Sequence, residues 1–103
     1  MAGRLRRVVW TREARSALDE VLAYIARDSL PAARRFLTDV LQAASGLAEL
    51  SERGRVVPEL DDQQIRELFV NRYRLIYDVT PAEVRVLASL HGARDFAKWR
   101  RDE

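Results

Sequence analysis

Apolar residues recur along this chain with two different spacings, and the change from one to the other divides it. Between residues 12 and 27 they fall at Ala14, Leu18, Val21, Leu22 and Ile25. That is the 3.6-residue stripe of an amphipathic helix. Thr11 stands where an N-cap belongs, and Glu13 falls in the first turn, where the helix dipole favours an acid. "RDSLP" interrupts the stripe. Ser29 is placed to cap a second helix, and Pro31 suits its first turn, where a missing N–H costs nothing. A second stripe, from Ala33 and Phe36 through Val40 and Ala44 to Leu47 and Ala48, predicts a helix over about 31–50. The short link makes the two an antiparallel hairpin. Ahead of them, "RLRRVVW" (4–10) is β-branched and aromatic and reads as a short strand.

Residues 51–64, "SERGRVVPELDDQQ", form a polar connector. After it the spacing becomes two. "IRELFV", "YRLIYDV" and "VRVLASL" read as three strands joined by "NR" (71–72) and "TPAE" (80–83). A two-residue hairpin at Asn71–Arg72 puts Val70 opposite Tyr73, Phe69 opposite Arg74 and Leu68 opposite Leu75. If Val79 pairs with Val84, then Asp78 meets Arg85 in a cross-strand ion pair, and Leu75 meets Ala88. One face, from Leu68 and Val70 to Ala88 and Leu90, is then almost wholly apolar and must pack on the helix hairpin. The other is mixed and carries Arg74 opposite Ser89 with His91 beside them, away from the helices. The tail "RDFAKWRR" has Phe96 and Trp99 at i, i+3 and suits a short last helix. The expected architecture is α+β: an N-terminal strand, a two-helix hairpin, a three-stranded antiparallel meander packed on it, and a C-terminal helix or tail.

The 103 residues predict one domain, spanning 1–103. No apolar run approaches the ~20 residues of a membrane span, and the start lacks the apolar core of a signal peptide. With no cysteine to suggest an oxidising compartment, a cytoplasmic protein without membrane contact is expected. The basic residues are 17 arginines and one lysine, Lys98. Arginine offers a planar fork for phosphate or carboxylate, and from Arg53 onward the arginines fall in strands and loops.

One histidine and no cysteine leave little for a metal, and no ligand spacing suggests one. No cofactor is expected. Arg74 and His91 with a carboxylate at Glu59 or Glu67 have the makings of an acid–base site for RNA cleavage. The carboxylate would take a 2′-hydroxyl proton, the histidine would protonate the leaving oxygen, and the arginine would hold the phosphorane charge. The plainer reading of a lone histidine at a strand end is a hydrogen bond and no chemistry.

Several segments stand in a familiar order: "VVWTREA", Asp19 and Ile25 in the first helix, "DSLPAARRF", Gly54, "PEL" at 58–60, "IREL" at 65–68, "YRLIYDV" at 73–79 and "HGARD" at 91–95. Together they resemble the RelE/ParE superfamily of toxins of bacterial type II toxin–antitoxin systems, and within it the ParE branch, over nearly the whole chain. The resemblance implies a toxin neutralised by a cognate antitoxin in a hetero-oligomer. Part of that partner binds DNA and part wraps the toxin. ParE-like members poison DNA gyrase. RelE-like members cleave mRNA on the ribosome, and a third possibility is a degenerate toxin that keeps only antitoxin binding. Glu59, Arg74 and His91 match the glutamate, arginine and histidine of some ribonuclease members, whereas the lysine-rich RelE site is absent. Arg53, Arg55 and Arg94 are the expected target-binding residues. Trp10, Phe69, Phe96 and Trp99 are the expected antitoxin anchors, with core packing as the alternative for all four.

Overall fold

A computed structural model describes residues 5–102. The elements run β1 (Arg7–Trp10), α1 (Arg12–Asp28), α2 (Leu30–Gly46), β2 (Arg55–Val56), β3 (Ile65–Val70), β4 (Tyr73–Val79), β5 (Glu83–His91) and α3 (Phe96–Asp102). The strands form one sheet in the order β1-β5-β4-β3-β2. The expected meander β3–β4–β5 is its centre. β1 lies parallel to β5, and the short β2, which falls in the connector, pairs with β3. Arg4, the first residue of the expected opening strand, lies outside the described residues.

Local chemistry sets the helix ends. The Thr11 hydroxyl accepts from the Ala14 N–H at 3.0 Å and donates to the Val86 carbonyl at 3.1 Å, so the cap also pins α1 to β5. Ser29 closes α1 through its own N–H and opens α2 by accepting from the Ala32 N–H at 3.2 Å. The second helix stops at Gly46, short of the expected residue 50. Ser45 and Gly46 are poor helix formers, and Leu47, fully buried against Tyr77 and Val84, turns the chain into the sheet.

The β3–β4 register is the expected one: Val70 pairs with Tyr73, Phe69 with Arg74 and Leu68 with Leu75. Asn71 makes the turn with φ of 56°, a left-handed conformation that asparagine tolerates. The β4–β5 pairing begins as expected, with Val79 on Val84 and Asp78 on Arg85, whose Nε donates to Asp78 Oδ1 at 2.9 Å. Between Tyr77 and Ile76 the register shifts. Tyr77 pairs with Val86, Ile76 with Ala88 and Tyr73 with His91, so Leu87 is an extra residue, a β-bulge. One extra residue exchanges the faces of everything after it. Ala88 and Leu90 turn away from the helices, while Ser89 and His91 turn towards them. The expectation that Arg74 and His91 share a face is overturned here.

Both faces of the sheet are therefore covered. The helix-side core joins Ala14, Leu18, Phe36, Val40, Leu75 and Val86, with Trp10 partly buried against it. The opposite face, expected to be wettable, buries Val57, Ile65, Ile76, Ala88 and Leu90 under Phe96 and Trp99 of α3. At one end Gly54 passes so close to β3 that its N–H donates to the Tyr77 hydroxyl at 2.9 Å. A Cβ there would lie 2.4 Å from the Glu67 carbonyl oxygen and 2.6 Å from the Tyr77 hydroxyl. Arg66 Nη1 also reaches this point and donates to the Gly54 carbonyl at 2.9 Å. Gly54→Ala is expected to lower stability by about 1–3 kcal/mol through this clash, read as a reduced urea midpoint at unchanged m-value.

Candidate functional site

The most heavily bonded side chain in the described residues is Arg74. Its place on β4, facing α3, makes it 4% exposed. Its Nε donates to Glu67 Oε1 at 2.6 Å, and Nη1 and Nη2 donate to the two Glu59 oxygens at 2.6 Å each. Nη1 also donates to the Arg94 carbonyl at 2.9 Å. Glu67, with no exposed side-chain surface, uses its second oxygen to accept from Arg55 Nε at 2.6 Å. Glu59 accepts in addition from the Phe96 N–H at 3.1 Å, at the start of α3. The Arg74 hydrogen bond holds the Glu59 carboxyl well below its ordinary value of 4.5, at about 2; burial opposes this and the Phe96 N–H assists it. Glu59 and then Glu67 push the Arg74 guanidinium up, against its burial. Two arginines and two glutamates thus close a neutral chain of ion pairs.

His91 is elsewhere. It is exposed, its Nδ1 accepts from the Ala93 N–H at 3.2 Å, and its ring meets Tyr73 edge-on with centroids 5.5 Å apart. It lines a cleft of about 370 Å³ between α1, the end of β5 and α3, together with Glu20, Val21, Tyr24, Ser89, Arg94 and Trp99. The structure brings Glu59 and Arg74 together and leaves His91 on the other side of the sheet. With four guanidinium hydrogen bonds already made, Arg74 has little left with which to grip a phosphate.

The other expected site residues divide in the same way. Arg53, Arg55 and Arg94 are exposed, and Arg55 also stacks its guanidinium over Phe69, 5.8 Å from the ring centroid. Of the four aromatic candidates, Phe96 and Trp99 are buried in the α3-side core and Trp10 packs on the helix-side core. Phe69, 53% exposed, is the most exposed of the four. Sequence reasoning missed Glu20, Tyr24 and Ser89 as a cluster, because only the bulge at Leu87 turns Ser89 and His91 towards α1. Among the described residues no group of side chains is arranged to hold a metal ion, and no helix is long and apolar enough to cross a membrane.

The described residues form a small mixed sheet with a helix hairpin on one face and a C-terminal helix on the other. The family model for the ParE toxin of type II toxin–antitoxin systems matches residues 8–96, and the chain belongs to that family. The chain is 36% identical over 91 residues to Toxin RelE2 of Caulobacter vibrioides, covering 87% of this chain and 99% of that protein. In fold it is similar to a chain from the chromosomal ParDE toxin–antitoxin system of P. aeruginosa, with a TM-score of 0.69 at 19% identity, covering 84% of this chain and 96% of that one. The protein is a type II toxin, and a toxin of such a system has an antitoxin as partner.

The ion-pair chain makes a stability prediction. Glu59 is more acidic folded than unfolded, so its contribution is fully present above about pH 4.5 and is lost as pH falls towards about 2. Glu59→Gln should flatten that acid limb in a series of urea unfolding curves. Arg74→Ala, which among the described residues leaves the buried Glu67 with Arg55 as its one remaining ion-pair partner and Glu59 with none, should cost about 3–5 kcal/mol.

Proposed function

We propose that this toxin acts on DNA gyrase in the cytoplasm, in the manner of the ParE branch, and does not cut mRNA. The observation that carries the reading is the separation of the three candidate catalytic residues. A ribonuclease built on Glu59, Arg74 and His91 needs all three around one phosphate. Here the guanidinium is bound by two carboxylates, one of which also caps α3, and the imidazole faces the helices. Glu59 is also a poor choice of base, since a carboxyl held at about 2 has little affinity for a proton at neutral pH. The match to the ParE family model supports the same reading.

What remains for the target is exposed cationic surface. Arg53, Arg55 and Arg94 are exposed, and the Arg55–Phe69 pair presents a charge over an aromatic ring. These residues are proposed as the contact with gyrase, with the cognate antitoxin covering the toxin in a hetero-oligomer until release. The rival reading, a ribosome-dependent endoribonuclease, has in its favour the name of the Caulobacter relative.

Purified toxin is expected to inhibit gyrase supercoiling or trap cleaved DNA, and to leave mRNA intact in a ribosome-programmed assay mapped by primer extension. His91→Ala should then keep full toxicity in a growth assay. Cuts in the ribosomal A site, abolished by His91→Ala in a folded protein, would reverse the assignment.

A further inference from the structure

The cleft beside α1 contains a hydroxyl that no other group of the described residues bonds. Ser89 is 1% exposed, yet its Oγ has no hydrogen-bond partner among the described residues. Every side-chain polar atom there that is sealed from solvent does have a partner. The Ser89 Oγ must therefore open onto the cleft that the residue lines. A hydroxyl so placed takes its partner from outside the chain, either solvent or a polar group that enters the cleft and replaces it.

The surroundings define what fits. Val21, Leu90 and Trp99 give the cleft an apolar floor, and Tyr24, 63% exposed, stands at its mouth. Glu20 on α1 and Arg94 ahead of α3 lie on its rim, and neither takes part in an ion pair among the described residues. An apolar floor with one polar group at the bottom suits an aromatic body with a polar tip. A rim negative on one side and positive on the other suits a segment carrying a base and an acid around that side chain. A nucleotide fits less well. Its phosphate at Arg94 would share the rim with the Glu20 carboxylate, and the nearby Ala93 N–H already donates to His91.

We propose that this cleft seats one aromatic side chain with a polar tip, a tyrosine by its chemistry, from a segment of the cognate antitoxin. An acidic neighbour would face Arg94 and a basic one Glu20. The proposal rests on the toxin–antitoxin reading and adds to it the place and the chemistry of one anchor.

The test is the affinity of the full-length toxin for its cognate antitoxin, by titration calorimetry. Tyr24→Ala and Ser89→Val should each weaken binding at least tenfold, and Arg94→Glu similarly, while Gln42→Ala, at an exposed polar position of α2, should leave it within twofold. Thermal melts confirm folding; should Ser89→Val not fold, the exposed Tyr24 still decides the matter. Binding within twofold of wild type for Tyr24→Ala and Arg94→Glu would end the proposal but leave the toxin–antitoxin reading standing. No binding of antitoxin by the wild type would sink that reading itself. Micromolar binding of AMP, seen as shifts of the Ser89 and Trp99 amide resonances, would reassign the cleft to a nucleotide.

Discussion

The buried guanidinium of Arg74 is the constraint on which the rest of this structure depends. A cation 4% exposed is untenable without compensation. The compensation comes from four places: Glu59 in the connector, Glu67 on β3, the Arg94 carbonyl after β5, and, through Glu67, Arg55 on β2. Each of these segments is tied by a hydrogen bond to the guanidinium or to the carboxylate beside it. Because Glu59 also accepts from the Phe96 N–H, the same network places the first turn of α3. Phe96 and Trp99 then bury Ile76, Ala88 and Leu90 beneath them. Polar specification and apolar burial are thus coupled on one face of the sheet: the ion pairs choose the position, and the aromatic rings supply the area.

A second device, the bulge at Leu87, decides what lies on the other side. It sends Ala88 and Leu90 under α3 and leaves Ser89 and His91 facing α1. Trp99, held by the first device, reaches the edge where α1 passes and meets Ala17. The cleft with its unpartnered hydroxyl therefore exists because two independent features act on the same strand. The helix-side core is built separately, from α1, α2 and Val70, Leu75 and Val86 of the sheet. The device that makes the cleft is also the one that separates His91 from Arg74, so the same residue shift counts against one chemistry and creates another surface.

How much of this was legible in the sequence follows from how local each feature is. The caps at Thr11 and Ser29, the two helical stripes and the Asn71–Arg72 turn depend on neighbours within a few residues, and they stand where the pattern put them, save that α2 ends at Gly46. The Asp78–Arg85 pair follows from a turn of known length. The bulge was hidden for a specific reason. Val84 and Val86 before it, and Ala88 and Leu90 after it, are all apolar, and both faces of the sheet are covered. A period-two run reads the same whether or not a residue is inserted when either face accepts hydrophobic side chains. The burial of Arg74, though not its face, was hidden for a related reason: an arginine in a strand looks like solvent surface until the connector and α3 are seen to close over it. β2 is two residues long and pairs only with β3, too short to carry a pattern.

With both sheet faces closed, the apolar surface left for a partner is dispersed. Leu5, Tyr24, Leu30, Leu41, Leu50 and Phe69 are the large hydrophobic residues exposed among those described. They lie on different elements: two on α2, one on α1, one on β3 and two in flanking loops. A compact partner docking on one flat patch would reach few of them. An extended chain that orders on contact can visit several in turn, taking small increments of burial at each and losing conformational entropy along its length. Such a chain needs at least one site that fixes its register, since scattered single contacts tolerate sliding. The cleft at Ser89 is the one concave place on the described surface where an apolar floor, a hydroxyl that no other described group bonds and unpaired charges of both signs come together. That is the kind of position at which a wrapped segment would be held in register.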